Sequence, residues 1–245
     1  MQGHVLDYNC PMISDARDPA GSESARQVRR MFALIAPRYD LMNRIMTGGQ
    51  DLRWRREVIL RLHLRPGDSL LDLGSGTGDL AFEALRQQPN SHPIAVDFSL
   101  EMMRLAQARG RLDWSAADAL CLPFSAGTFD ATVSGFLMRN VPDVQQVLRE
   151  QHRVLIDGGR IVILDTTRPR FGPLRPLTWL YMHIIIPLLG GLISGQRAAY
   201  AYLPASTEKF LRAEELAARM AAVGFHRLGF RRLMLGTIAI HWGEK

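Results

Sequence analysis

The chain has 245 residues, 47% of them hydrophobic, which is enough to bury a large core in one α/β domain. Its formal net charge of +6 comes without a basic run interleaved with aromatic residues, which argues against nucleic-acid binding and favours attraction to an anionic membrane surface. Cys10 and Cys121 are too few for a disulfide framework and lack zinc-ligand spacing, so we expect a reducing, cytoplasmic environment and no metal site.

The N-terminal part of the chain divides into a lead and a helical stretch. Residues 1 to 22 contain Pro11, Pro19 and Gly21 but no charged-then-apolar signal pattern, and we expect a disordered lead. Residues 23 to 245 are expected to form a single catalytic domain. The helical runs from about residue 23 to residue 64 precede the first apolar strand, and we expect them to form a lid.

The most informative stretch runs from Leu70 to Asp79, where an apolar strand ends in alternate glycines (Gly74, Gly76 and Gly78) and leads into a predicted helix. Such a turn brings backbone amides close to a ligand at a helix N-terminus. A dinucleotide fingerprint places its third glycine three positions after the second, and Asp79 stands there. Asp72 and Asp79 would repel a pyrophosphate but suit the ammonium and sulfonium of S-adenosylmethionine.

The next strands supply further candidate contacts, because ligands in open α/β sheets bind at the carboxyl ends of the strands. Asp97 ends a short strand and can accept from both ribose hydroxyls, with a helix N-cap as a compatible alternative. Asp118 can accept from the adenine amino group, and the amide of Ala119 can meet a ring nitrogen, although an aspartate in a loop is often only a turn former. Ser134, in the following strand, reaches the edge of the same ligand.

The order of elements predicts an α/β fold. Apolar strands alternate with helical runs up to a strand at 159–165, which indicates a parallel sheet with helices on both faces. A helix predicted over 210–223 ends at Gly224, and strands predicted over 225–233 and 237–242 close the sheet as a hairpin.

An insertion from about residue 168 to residue 210 contains the most apolar stretch of the chain. From Pro176 to Gln196 it has no Lys, Arg, Asp or Glu, which is long enough to raise the question of a membrane span. Pro187 and neighbouring glycines interrupt it, so a lipid-facing lid and a buried core or dimer contact are alternatives to a span. Arginines flank the stretch, which favours an interfacial lid with peripheral membrane contact.

Several blocks of the sequence resemble the ubiquinone/menaquinone biosynthesis C-methyltransferases, from about Val28 to Trp242. These blocks are Met31-Phe32, Ile35-Ala36-Pro37-Arg38-Tyr39-Asp40-Leu41-Met42-Asn43, Trp54-Arg55, Gly135-Phe136, Arg139-Asn140-Val141, Arg153-Val154-Leu155, Gly158-Gly159-Arg160 and Tyr202-Leu203-Pro204. The resemblance implies a Rossmann-like, seven-stranded class I methyltransferase sheet with the two lids added to it. It also implies S-adenosylmethionine-dependent C-methylation of a prenylated quinol, of the demethylmenaquinol-to-menaquinol type, at the inner face of the membrane. The cofactor contacts that we expect are Gly74, Gly76, Thr77, Asp97, Asp118, Ala119 and Ser134.

The expected reaction requires residues that stabilise a deprotonated quinol oxygen. A quinol ring becomes electron-rich when its hydroxyl loses a proton, so a cation or base must lie beside that oxygen. Arg139 and Asn140 follow the strand that ends near the cofactor and are the catalytic candidates, with a structural arginine as the alternative. The substrate contacts that we expect from the lids are Tyr39, Asp40, Asn43 and Tyr202, and His183 is a weaker candidate for the base.

The sequence leaves the acceptor and the assembly open. Leu137-Met138 stands where the resembling family usually has Gly-Leu, so a methyltransferase for another hydrophobic small molecule, a lipid or a polyketide, is an alternative. A non-catalytic, cofactor-binding member of a biosynthetic complex is a second alternative, although the intact acids argue against it. The quinol headgroup, the tail length and a homodimer are not decided by any motif.

Overall fold

The computed structural model describes residues 38–168, 175–194 and 206–245. Its helices are α1 (Tyr39–Thr47), α2 (Gln50–Leu62), α3 (Asp79–Gln87), α4 (Leu100–Gln107), α5 (Val144–Val154), α6 (Arg175–Leu180), α7 (Ile186–Ser194) and α8 (Ala213–Val223). A π-helical segment, Tyr181–Ile185, joins α6 to α7. The strands are β1 (Ser69–Leu73), β2 (His92–Asp97), β3 (Asp113–Ala116), β4 (Phe129–Gly135), β5 (Leu155–Thr166), β6 (His226–Leu233) and β7 (Ile238–Glu244).

The strands form one seven-stranded sheet in the order β3-β2-β1-β4-β5-β7-β6. The first five strands run parallel, and β7 is antiparallel to both β5 and β6. The predicted Rossmann-like sheet and its closing hairpin are therefore confirmed. The order reverses direction between β1 and β4, and the crevice at such a switch point is where ligands bind in open α/β sheets.

Hydrophobic cores lie on both faces of the sheet. One core joins the strands to α5 and α8 through buried side chains such as Leu148 and Leu216. The other joins them to α2 and α3 through Val58, Ile59 and Ala84. The central strands are covered on both faces, which is why their sequences are almost continuously apolar.

The helix predicted over 210–223 begins later than expected, at Ala213. The side chain of Glu215 accepts a hydrogen bond from the amide of Arg212 at 2.7 Å, which fixes the first turn at that point. The helix ends at Gly224 with a φ of 116°, as the sequence predicted.

Both predicted lids contain helices in the described residues. The hydroxyl of Tyr181, in the insertion, donates to the carbonyl oxygen of Met46 in α1, so the two lids contact each other. Across residues 38–168, 175–194 and 206–245, no helix has the length and apolarity that crossing a bilayer requires.

Candidate functional site

The glycine loop connects β1 to α3 at the carboxyl edge of the sheet. The loop was expected to bring its backbone amides close to a ligand, but the amides of its first part are already bonded to β2. The amides of Gly74 and Ser75 donate to the carbonyl oxygen of Val96 at 2.8 and 3.0 Å. The amide of Gly76 donates to Asp97 Oδ2 at 2.7 Å. The loop is thus fastened to β2, which a local sequence pattern cannot reveal because it depends on the pairing of β1 with β2.

Asp72 lies on β1 directly before the loop, and its residue is 0% exposed. Its Oδ2 accepts from the amide of Ala81 at 3.0 Å, which caps the start of α3. Its Oδ1 is buried and has no hydrogen-bond partner among the described residues. Burial raises the pKa of Asp72 to about 7, since the charged form loses its hydration. A cationic ligand group that reached Oδ1 would supply the missing partner.

Asp97 ends β2 beside the loop. Its Oδ1 accepts from the amide of Ser99 at 2.7 Å. The cap of α4 is Ser99 rather than Asp97, because the Ser99 hydroxyl oxygen accepts from the amide of Met102 at 3.4 Å. Burial raises the pKa of Asp97, and the amides of Ser99 and Gly76 oppose that shift. These contacts hold the carboxylate at the end of β2, where it was predicted to bind ribose hydroxyls.

The residues predicted at the adenine end lie beyond β3 and on β4. Asp118 Oδ1 accepts from the amide of Leu120 at 2.9 Å, so Asp118 does form a turn, and Ala119 beside it is half-buried. Ser134 pairs with Leu73 across β4 and β1, which places it one residue from Gly74 along the sheet edge. The Ser134 hydroxyl is buried and makes no hydrogen bond in the described part of the chain.

A chain of ion pairs fastens the first lid to the glycine loop. The Thr77 hydroxyl donates to Asp40 Oδ1 at 3.0 Å, and Arg109 Nη1 lies 3.4 Å from Asp40 Oδ2. The same arginine nitrogen pairs with Asp79 Oδ1 at 2.6 Å and donates to the Thr77 carbonyl oxygen at 2.8 Å. Arg55 Nη1 pairs with the other Asp79 oxygen. Asp40, which was predicted to contact substrate, is therefore placed against the loop. Its burial, and next the negative charge of Asp79, raise the pKa of Asp40.

Arg139 is buried beside the end of β5. Its Nη1 donates to Asp165 Oδ1 at 2.8 Å, and these two side chains are only 4% and 1% exposed. Its guanidinium carbon lies 5.0 Å from the centre of the Phe136 ring. Its Nε is buried without a hydrogen-bond partner among the described residues. The structure thus gives Arg139 an ion pair of the kind expected for a structural arginine, and also an unused N–H near Phe136.

Asn140 holds the backbone at the end of β4. Its side-chain amide donates to the carbonyl oxygen of Phe136 at 2.8 Å. Phe136 has a φ of 59°, a left-handed conformation that costs a non-glycine residue ~1–3 kcal/mol. Leu137 follows and lies against the loop, since a Cβ built on Gly74 would come within 2.8 Å of Leu137 Cδ1.

The other predicted substrate contacts differ in how the structure places them. The Asn43 side-chain nitrogen, on α1, is buried without a partner within the described ranges. Tyr39 begins α1, and Tyr202 lies outside the described residues. His183 stacks on Trp179 with ring centres 5.0 Å apart, and its Nε2 lies 3.1 Å from Glu208 Oε1.

The sequence prediction assigned no role to Arg55, Arg109 or Asp165. Arg55 was part of a block that carried the resemblance, and Asp165 was predicted only as a strand end. Their partners are distant in sequence, 24 residues for Arg55 and Asp79 and 26 for Arg139 and Asp165. No local spacing rule could have joined them.

The residues present fit S-adenosylmethionine. A cavity is lined by Gly74, Gly76, Thr77, Asp79, Arg55 and Asp72. Asp72 Oδ1, which has no hydrogen-bond partner among the described residues, suits the ammonium group, and the carboxylates that line the cavity suit the sulfonium. The buried hydroxyl of Ser134 at the same sheet edge is a further polar atom that a ligand would satisfy.

Comparison with known proteins agrees with this fit. Residues 20–245 match the model of the ubiE/COQ5 methyltransferase family. A ubiquinone/menaquinone biosynthesis C-methyltransferase from Desulfotalea psychrophila is 46% identical over 221 residues, 89% of this chain and 90% of that protein. A demethylmenaquinone methyltransferase from Thermus thermophilus is 44% identical over 88% of this chain and all of that protein.

Solved structures share the fold at low sequence identity. The [4+2]-cyclase SpnF has a TM-score of 0.67 and 20% identity, covering 90% of this chain and 96% of its own. A SAM-dependent methyltransferase from Thermotoga maritima has a TM-score of 0.60 and 19% identity, covering 89% and 99%. At these identities the likeness shows the class I methyltransferase fold alone.

Proposed function

The chain belongs to the ubiE/COQ5 methyltransferase family, and from that membership we propose that it methylates a ring carbon of a prenylated quinol. It is an S-adenosylmethionine-dependent C-methyltransferase of quinone biosynthesis, and a demethylmenaquinol-type acceptor is the finer part of the proposal. The observation that carries the chemistry is the buried Nε–H of Arg139, beside Phe136, which has no hydrogen-bond partner among the described residues.

Residues at the ends of β1, β2 and β4 and in the loop after β3 would hold the cofactor. Asp72 accepts from the ammonium group through Oδ1, and Asp97 accepts from the ribose hydroxyls while remaining tied to Ser99. Asp118 and Ala119 receive the adenine, and Ser134 contacts the cofactor edge. When bound, S-adenosylmethionine supplies an electrophilic methyl group on a sulfonium.

Arg139 and Asp165 would act on the quinol oxygen as a unit. An arginine rarely loses its proton, so the quinol hydroxyl would give its proton to water while the Arg139 Nε–H donates to the oxygen and stabilises the negative charge that develops there. After the methyl group is transferred, the ring carbon would lose its hydrogen as a proton, also to water. Asp165 orients the guanidinium through Nη1. Asn140 keeps the Phe136 backbone in place, which fixes the ring that lies against the guanidinium. The Asn43 side-chain nitrogen, which has no partner among the described residues, would donate to a second ring oxygen, and the lids would keep bulk water away during methyl transfer.

The lid helices would dock on the membrane that holds the prenyl tail. Apolar side chains that are 38% to 83% exposed lie on α1 and on the 175–194 segment: Leu41, Ile45, Trp179, Leu180, Ile184, Ile185, Leu188 and Leu192. α1 also exposes Arg44, and the whole chain carries a net charge of +6. Helices that lie at the interface of an anionic bilayer typically combine apolar side chains with neighbouring cations.

Liposome sedimentation tests the docking face. Leu192→Ser, which changes a side chain that is 83% exposed, should weaken binding to anionic liposomes. Leu60→Ser is the matched control, since Leu60 is 63% exposed on α2. High salt should release the wild-type protein. Equal binding by both variants and the wild type would contradict this docking face.

Quinone analysis tests the reaction in cells. A strain that lacks this gene should accumulate a quinone without the ring methyl group, and the wild-type gene should restore the methylated form. A gene with Asp72→Asn, at the cofactor site, should restore it poorly. An unchanged quinone pool in the deletion strain would refute the proposed function.

A further inference from the structure

The cavity beside the glycine loop is lined by charges of both signs. Its walls include the carboxylates of Asp72 and Asp79 and the guanidinium of Arg55. Arg55 comes from α2, outside the sheet, and its side chain is only 9% exposed. A charge buried to this extent is costly unless anionic groups accompany it.

The hydrogen bonds of Arg55 leave part of its guanidinium unused. Its Nη1 pairs with Asp79 and lies 3.5 Å from Asp51 Oδ2. In the part of the chain that the structure describes, Nη1 is the nitrogen through which Arg55 makes its ion pairs. A guanidinium has five N–H donors arranged to take a carboxylate through two parallel hydrogen bonds. Arg55 can therefore donate to a second carboxylate without giving up Asp79.

The methionine end of S-adenosylmethionine is a zwitterion. Its ammonium group suits Asp72 Oδ1, which lacks a partner in the part of the chain that the structure describes. Its α-carboxylate, bonded to the same carbon, must then lie close to Asp72 and Asp79, and two acids would repel it unless a cation stands there. Arg55 lines this same cavity.

We propose that Arg55 binds the α-carboxylate of the cofactor's methionine moiety while Asp72 accepts from its ammonium group. This inference rests on the proposed function in taking S-adenosylmethionine as the cofactor. Arg55 lies on α2 in the first lid rather than on the sheet. A cofactor carboxylate bound to Arg55 would therefore connect α2 to the glycine loop. Asp79, held from its other side by Arg109 at 2.6 Å, orients Arg55 for this contact.

Ligands that differ only at the methionine end test the assignment. Calorimetry would compare S-adenosylmethionine, decarboxylated S-adenosylmethionine and 5′-methylthioadenosine, with Arg55→Gln and Arg53→Gln as variants. Arg53 is the matched control because it is an exposed arginine on the same helix. Arg55→Gln should weaken S-adenosylmethionine more than about tenfold, as expected for lost charge-assisted hydrogen bonds. It should change the affinity of the two ligands without a carboxylate less than about threefold, and Arg53→Gln should change none of them.

Two results would overturn the proposal. An equal loss of all three ligands in Arg55→Gln would show that Arg55 only holds the lid. Wild-type protein that binds S-adenosylmethionine no more tightly than its decarboxylated form would also refute it, and this measurement needs no variant to fold. By contrast, a wild type that prefers the carboxylate yet methylates no demethylquinol would refute the proposed function and leave the role of Arg55 supported.

Discussion

Substitution of Asp72 by asparagine should separate the charge of this residue from its shape. An asparagine can keep the hydrogen bond from the Ala81 amide, which is 3.0 Å long in the structure, while the carboxylate charge is lost. The expected loss for one charge-assisted hydrogen bond is ~1.5–3 kcal/mol, or roughly 10- to 100-fold in the dissociation constant for S-adenosylmethionine.

The pH dependence of binding follows from the same carboxylate. Burial raises the pKa of Asp72 to about 7, so at pH 8 most of the wild-type protein carries the charged form and at pH 6 only about a tenth does. The affinity of the wild type should therefore fall roughly tenfold from pH 8 to pH 6. Asp72→Asn should remove most of this change, and the remainder belongs to Asp97, whose pKa burial also raises.

The stability of the protein without cofactor should change in the opposite direction. Burial raises the folded-state pKa of Asp72 from 3.8 to about 7, so the native state holds more protons than the unfolded state between these two pH values. This group's contribution to stability is therefore present at low pH and is lost as the pH rises through about 7. Isothermal calorimetry at three pH values, with thermal melting of the same samples, measures both effects. Equal affinity of the wild type at pH 6 and pH 8 would refute the reasoning.

Further substitutions test the loop and the catalytic pair. Arg139→Ala should lower turnover by about two to three orders of magnitude with nearly unchanged cofactor affinity. The substitution should also cost ~3–5 kcal/mol of stability, because Asp165 is left as an unpaired buried charge, so melting curves must accompany the rate assay. A variant that turns over at the wild-type rate would show that Arg139 has only a structural role. Gly74→Ala should weaken S-adenosylmethionine and destabilise the fold more than Gly127→Ala. Both glycines have a positive φ, 68° and 65°, but an added Cβ meets Leu137 only at Gly74. If the two substitutions changed the cofactor affinity and the melting temperature equally, this explanation would be contradicted.

The sequence predicted the parts of the fold that depend on local pattern. The strand, glycine loop and helix around Gly74 follow from apolar runs and glycine spacing, and the end of α8 follows from Gly224. The alternation of apolar strands with helices predicted a parallel sheet with helices on both faces, and the resemblance to the methyltransferase family supplied the number of strands. These features need few contacts between distant residues.

The contacts within the site could not be predicted in the same way. The amides of Gly74 and Ser75 donate to the carbonyl oxygen of Val96 because of the register between β1 and β2. Arg109 meets Asp40 across 69 residues, and Asp165 is placed beside Arg139 by the pairing of β4 with β5. Ion pairs with arginines from distant parts of the chain then decide which acid keeps an oxygen without a partner. Asp72 and Asp79 looked alike in sequence, yet within the described ranges only Asp72 of the two has such an oxygen, since two arginines hold Asp79.

Methyl transfer by the purified protein tests the central claim most directly. The assay combines wild-type protein, S-adenosylmethionine labelled in its methyl group and a chemically reduced short-chain demethylmenaquinol, and the product is located by mass spectrometry and NMR. The account predicts a labelled methyl group on a ring carbon that previously carried hydrogen. A product methylated on oxygen, or no transfer by protein that binds the cofactor, would contradict it.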